Sequence, residues 1–280
     1  MKDLYVYCPI CHARGSVSVP KYIFENTKNG IANVQVAQGD VCEHQMLVSV
    51  DRNFKIRGTE PIDFQVIIAP QEKDAGELSL GDVVSKINTY AASMLLQSFI
   101  FNFKTYVIAS AADAPTFGED LNNFFNSILP SVWKVPPLVK QVPRRDFKKL
   151  IFDPQEYLLI DSKGIVLNQP WGKRQLFLGE DLIKLAATQP NAKSQNAAMQ
   201  QKVQNLFDRA AIIENFLQNK EFAYEEDLKL MLENEIKRKI KSKHLETICF
   251  LIERRYDKGL QIVEKIRSKS FDMLSGALWS

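Results

Sequence analysis

Two short segments constrain this chain more than any other part of it: Tyr7-Cys8-Pro9-Ile10-Cys11-His12 near the start, and Val41-Cys42-Glu43-His44 further on. Three of the four cysteines and two of the three histidines fall within them. A set of Cys8, Cys11, Cys42 and His44 supplies three thiolates and one imidazole, the soft tetrahedral donors that suit zinc. Four protein ligands leave no open position for water or substrate, so the pattern points to a structural metal. The spacing of Cys42 and His44 puts both side chains on one face of an extended segment, where they can converge on one ion. His12 is the rival imidazole, although its place next to Cys11 restricts its reach. If His44 were not a ligand, Cys8, Cys11 and Cys42 would hold zinc together with a water, and Glu43 would be the nearby base of a metal hydrolase.

Around these segments the apolar residues alternate with period two. Leu4 to Val6, Val17 to Val19, Val34 to Val36, Met46 to Val50 and Phe54 to Ile56 read as short strands, and Asp63 to Ala69 as a further apolar run. Gly30, Gly39, Asp51-Arg52-Asn53 and Gly58 supply turn chemistry between them. Residues 1–70 are therefore expected to form a zinc-ribbon-like β module. The C-x-H spacing of its second ligand pair departs from the usual ribbon, and the polar stretch Pro70 to Gly81 marks its end.

Residues 79–188 read as a small α/β unit. Ser79 with Asp82 can cap a helix carrying Val83, Ile87, Tyr90, Met94 and Leu95. The aromatic and β-branched run Phe99 to Ala109 reads as a buried strand. Thr116-Phe117-Gly118-Glu119 is a capping-box pattern opening a helix that Pro130 stops. Six of the twelve prolines lie between Pro130 and Pro170, which predicts a loop-like segment with short strands at most. Tyr157 to Ile160 and Ile165 to Leu167 flank Asp161-Ser162-Lys163-Gly164 as a hairpin. Glycine-rich phosphate loops are absent from the sequence. Ser110, Asp113 and Asp161 sit at strand ends, but no histidine occurs between His44 and His244 to complete a catalytic triad.

One resemblance rests on this middle unit. An apolar helix, Tyr106-Val107-Ile108-Ala109-Ser110, a helix ending Leu129-Pro130-Ser131-Val132-Trp133-Lys134-Val135-Pro136-Pro137, and then Leu158-Leu159-Ile160-Asp161 resemble the core of DENN domains over residues 83 to 170. The resemblance implies a module that binds small GTPases of the Rab type and promotes nucleotide exchange, and it assigns no individual residue a role. The metal-bearing head, with Phe54-Lys55-Ile56-Arg57-Gly58 after its second ligand pair, is similar to an N-terminal zinc module of uncharacterised archaeal proteins. That likeness implies an archaeal adaptor related to trafficking machinery.

Residues 195–280 read as helical. Met199, Val203, Leu206, Ala210, Ile213 and Leu217 form a heptad seam. Leu228, Met231, Leu232 and Ile236 follow on a second helix, and Leu245, Ile248, Cys249, Ile252, Tyr256, Val263 and Ile266 on a third. These helices are expected to pack as a hairpin or bundle, or to self-associate with a second chain. Cys249 on its apolar stripe reads as a small buried hydrophobe. Between Ile236 and Lys269 eleven basic residues face four acidic ones, +7, against a net +3 for the whole chain. The rest of the chain therefore carries −4, and the basic stretch can meet phosphates, an anionic membrane surface or the chain's own acidic segments.

The chain is thus expected to be an α+β protein with a zinc-bound β module, a central α/β unit and C-terminal helices. It shows no secretory signal and no window apolar enough to span a membrane, so a soluble, cytoplasmic protein is expected. The leading functional expectation is a non-catalytic adaptor with a protein partner such as a small GTPase. The second is a nucleic-acid binder that uses the metal module and the basic helices.

Overall fold

The computed structural model describes residues 2–19, 30–36, 39–61, 78–110, 113–172, 174, 176, 178–237 and 239–267. The apolar run Asp63 to Ala69 and residues 70–77 of the expected boundary lie outside the described residues, while Leu80 and Gly81 of that boundary already belong to a helix. By contact density the chain divides into two compact units, Met1–Phe99 with Phe103–Gln200, and Ile100–Asn102 with Gln201–Ser280.

The first unit is built on a seven-stranded sheet. The predicted alternation forms β1 (Lys2–Tyr7), β2 (Arg14–Val19), β3 (Ile31–Val36) and β4 (Met46–Asp51), whereas β5 (Ile56–Pro61) shares only Ile56 with the expected strand Phe54 to Ile56, because Phe54 sits in the turn before it at φ 60°. Further along come β6 (Lys104–Ala109), β7 (Val139–Pro143), β8 (Tyr157–Asp161) and β9 (Val166–Asn168). The large sheet runs β5-β4-β3-β9-β8-β6-β7, and β1 pairs with β2 as a separate antiparallel hairpin. The spans 1–70 and 79–188 share the large sheet, because β3 pairs with β9 at Asn33 and Val166. Strands β3, β4 and β5 form an antiparallel meander, whereas β6 runs parallel to both β7 and β8.

Period-two alternation decides which side chains face the hairpin. Leu4, Val6 and Val19 of the hairpin join Val34, Val36, Met46, Val48, Ile108 and Leu159 in one buried cluster. One residue out of phase, Thr105 takes the opposite face, and its Oγ1 lies 3.1 Å from Oγ of Ser98 on the helix α1 (Leu80–Ile100).

Ser79 caps α1 as expected. Its amide donates to Asp82 Oδ2 at 2.9 Å and its Oγ accepts from the Asp82 amide at 3.2 Å. The expected strand over Phe99 to Ala109 is shorter than the sequence predicts. The helix continues to Ile100 and ends in a Schellman turn, with Asn102 at φ 58° and the Phe103 amide donating to the Ser98 carbonyl at 2.8 Å. In α2 (Phe117–Ile128) the expected capping box is not formed: Thr116 makes no side-chain cap bond and donates to Asp120 instead. Gly58 lies within β5 and not at a turn; Asp51 to Phe54 reverse the chain there. Helix α3 (Leu178–Ala187) completes the first unit's regular elements together with the start of α4 (Ala192–Gln218).

In the second unit α4 is followed by β10 (Ala223–Tyr224), α5 (Glu225–Ile236), α6 (Ser242–Arg255), α7 (Gly259–Val263) and β11 (Ile266–Arg267). All six residues of the predicted heptad seam on α4 are buried within the single chain. The third predicted helix is broken in two, because Lys258 adopts a left-handed conformation at φ 58° and Gly259 follows it closely packed. Among the described residues no helix is long and apolar enough to cross a membrane.

Candidate metal centre

Strand β1 delivers Cys8 to the mouth of a tight turn. The Cys8 amide donates to the Ala13 carbonyl at 2.9 Å and the His12 amide to the Cys8 carbonyl at 3.1 Å, while His12 takes φ 63° to reverse the chain. Cys8 is buried and Cys11 exposed. Burial raises the Cys8 thiol, but the amides of Cys11 and Ile10 directed at it, aided by the Cys42 and Cys11 side chains, outweigh that effect and bring it down to about 7. Backbone amides converging on a sulfur stabilise the thiolate, the form that binds a metal.

The second pair comes from the connection between β3 and β4. Gly39, at φ +93°, donates its amide to the Cys42 carbonyl at 2.9 Å and closes the turn. The His44 amide donates to Cys42 Sγ at 3.4 Å, and His44 Nδ1 lies 3.7 Å from that sulfur. The Cys42 thiol is lowered by the His44 amide, but burial and the neighbouring sulfurs of Cys11 and Cys8 push it up to about 11. Three thiols crowded together resist simultaneous ionisation unless a cation compensates them.

The ligand atoms of Cys8, Cys11, Cys42 and His44 all lie within 4.8 Å of one another. Around a tetrahedral zinc with bonds of about 2.3 Å to sulfur and about 2.0 Å to nitrogen, a sulfur and a nitrogen ligand stand roughly 3.5 Å apart. The Cys42 to His44 separation already matches that figure, so the donor set fits such an ion in both chemistry and spacing. Gly15 on β2 makes the approach of the two segments possible: a Cβ there would stand 3.1 Å from Val41 Cγ2 and 3.3 Å from Val41 Cα.

His12 points elsewhere. Its Nδ1 meets the Tyr7 hydroxyl, and the two rings stack with centroids 5.4 Å apart. The Arg14 guanidinium lies 5.7 Å from the Tyr7 ring centre on the same outer face. Glu43 is exposed and outside the donor cluster, whereas His44, which the hydrolase reading requires to stand apart from the metal, lies within it. The strand-end residues form no triad either. Both the Lys163 and Ile165 amides donate to Asp161 Oδ1 at 2.9 Å, so that carboxylate serves the hairpin turn. Burial raises the Asp113 carboxyl, but hydrogen bonds from Ser162 and Ser110 and the charge of Lys86 hold it below its ordinary value. Cys249, on α6, is pushed up to about 12 by burial and by Glu225 and Glu246, and so lacks thiolate character.

Sequence reasoning did not single out the outer face of the hairpin. Tyr5 is 69% exposed, Ile10 46% and Tyr7 42%, an apolar surface beside the metal cluster. The alternation that buries Leu4, Val6 and Cys8 carries this signal, since it directs Tyr5 and Tyr7 outward. No family model, no curated protein and no solved structure matches this chain.

Proposed function

We propose that this protein is a non-catalytic, zinc-stabilised adaptor in which the metal fixes the hairpin β1–β2 as a contact surface for a protein partner. The observation that carries the reading is the donor set itself. Three sulfurs and one imidazole saturate a tetrahedral ion, so the metal has no position left for substrate. The exposed Tyr5, Tyr7 and Ile10 stand on the element that the metal holds, and aromatic side chains are enriched at protein contact surfaces. The DENN-like order of residues 83 to 170 supports a small GTPase, and with it a trafficking role, as the partner class.

Elemental analysis and metal absorption edges on the purified protein test the first part. One zinc per chain with sulfur-rich coordination is expected, and a folded, metal-free protein overturns it. Capture experiments with small GTPases loaded with GDP or GTP test the second. Nucleotide-sensitive binding that is lost in Tyr5→Ala/Tyr7→Ala is expected; binding that is absent or indifferent to nucleotide removes this partner class.

A further inference from the structure

We infer that Cys11 is a site of reversible oxidation by hydrogen peroxide, and that its disulfide with Cys8 releases the metal and frees the β1–β2 hairpin. The inference rests on the adaptor reading, because it regulates the surface that the metal holds. Burial separates the three sulfurs of the donor set. Cys8 is buried, Cys42 half-buried and Cys11 exposed. Four protein ligands keep water and substrate off an ion, but they do nothing to shield a ligand sulfur that faces solvent, and oxidation follows thiolate character and exposure. Coordination holds all three sulfurs as thiolates, the nucleophilic form. Cys11 is therefore the sulfur that a small oxidant reaches first. A resolving thiolate stands beside it. Cys8 and Cys11 belong to one turn, closed by the Cys8 amide on the Ala13 carbonyl at 2.9 Å and by the His12 amide on the Cys8 carbonyl at 3.1 Å. Their sulfurs lie within 4.8 Å of each other. The C-x-x-C spacing lets the two side chains close that gap by rotation within the turn, whereas Cys42 comes from the separate connection between β3 and β4.

The chemistry balances with peroxide as the oxidant. The Cys11 thiolate attacks one peroxide oxygen, the O–O bond breaks, hydroxide departs and a sulfenic acid remains on Cys11. The Cys8 thiolate then attacks that sulfur, the S–O bond breaks and a second hydroxide departs as the disulfide forms. Two electrons pass from the two sulfurs to one peroxide, and solvent protonates both hydroxides to water. The cluster falls from four donors to Cys42 and His44, too few for a structural ion. What fixed the hairpin is lost with it, and so is the arrangement of Tyr5, Tyr7 and Ile10, all exposed on that element. Ile10 lies between the two cysteines, so the disulfide also acts directly on the contact surface. A thiol reductant and zinc restore the starting state. Cys249 supplies an internal contrast: its thiol is pushed up to about 12 by burial and nearby carboxylates, so it carries little thiolate and stays reduced.

The test is titration of the full-length, zinc-loaded protein with hydrogen peroxide, zinc release being followed with a chromophoric chelator and the thiols mapped by alkylation and mass spectrometry. Release of one zinc per peroxide consumed is expected, together with a Cys8–Cys11 disulfide and a Cys249 that still alkylates. Dithiothreitol with added zinc is expected to return the metal-bound protein. Cys11→His keeps four donors without the exposed sulfur, and it is expected to retain its zinc through the same exposure. Zinc that stays bound in excess peroxide overturns the inference and leaves the adaptor reading standing, whereas a protein that carries no zinc before any peroxide is added overturns both. A disulfide that leaves Cys11 out overturns the inference alone, as does a Cys11→His protein that releases zinc at the wild-type rate.

Discussion

Cys8 shows how one side chain prepares for a cation before any is bound. It is buried, which disfavours a charged sulfur, yet the Cys11 and Ile10 amides aimed at it, together with the Cys42 and Cys11 side chains, more than compensate. The same turn sends His12 away, to Tyr7 on the outer face. The consequence is a sharp contrast between cysteines and between histidines. Cys8→Ser and His44→Ala are expected to lose stoichiometric metal, whereas His12→Ala and Cys249→Ser retain it, as elemental analysis of the purified variants will read. Asp51 supports the neighbouring turn in a different way. Its carboxylate accepts from the Lys55 amide at 2.9 Å, the Asn53 amide at 2.8 Å and Arg57 Nε at 2.7 Å. The Lys55 amide leads in holding the carboxyl below its ordinary value, against the opposing effect of burial, with Arg57 and Asn53 adding to it. A carboxyl depressed in the folded state adds stability above its unfolded value near about 3.9, and that stability is lost as pH falls through the lower folded value. The difference in denaturation midpoint between the wild type and Asp51→Asn should therefore be full at about pH 5 and shrink by about pH 2. A constant difference across that range would show that the charge is not what the turn uses.

Among the elements, α1 and the β8–β9 hairpin depend on one close contact. The helix is interrupted at Asn88, which takes φ 63° and ψ 168°, and its Oδ1 accepts from the Ala91 amide at 2.9 Å to restart the helix. Asn88 Nδ2 donates to the Gly164 carbonyl at 3.2 Å. A Cβ on Gly164 would stand 1.8 Å from the Ile87 carbonyl oxygen, and the residue has φ +81°. Strain and collision act together, so Gly164→Ala is expected to destabilise the first unit by about 3 kcal/mol or more, read as a lowered urea midpoint. This contact also shows why parts of the fold were not legible in the sequence. Alternation placed β1 to β4 because burial on one sheet face writes period two directly into the residue order, and the turn residues Asp161 to Gly164 placed the hairpin whose strands are buried on both faces. The helix end at Ile100 was hidden, because Phe99, Phe101 and Phe103 are buried in helix, cap and loop alike, and bulk without period cannot choose among them. The Asn88 break was hidden for a related reason: its cause is a carbonyl on another element, far away in sequence. The cluster of four candidate donors was legible because donor type and spacing are local properties. The sheet shared through Asn33 and Val166 was not, since a single pairing leaves no pattern of its own.

At the scale of the whole chain, the candidate metal cluster brings together residues from two sheets. Cys8 and Cys11 belong to the hairpin β1–β2, and Cys42 and His44 to the connection between β3 and β4 of the large sheet. Leu4, Val6 and Val19 attach the hairpin to the sheet as buried side chains, each contributing about 1.5–3 kcal/mol. Fixing the backbone of its two six-residue strands costs about 1–2 kcal/mol per residue, which over most of that range is more than those three side chains return together with about 1 kcal/mol for each ladder hydrogen bond. A structural zinc, at about 10–16 kcal/mol of apparent binding free energy, is of the size that closes the difference. The large sheet needs no such aid, because its strands pair with one another and its buried cluster extends across β3, β4, β6, β8 and β9. Chelation should then act locally. Treatment with a strong chelator is expected to expose the amides of β1 and β2 to rapid hydrogen exchange, while those of β3, β4, β6 and β8 keep their protection. Limited proteolysis under the same conditions should cut near the N-terminus first. Uniform loss of protection across the large sheet would instead mean that the metal holds the entire first unit together, and unchanged protection of β1 and β2 would mean that the hairpin stands without it.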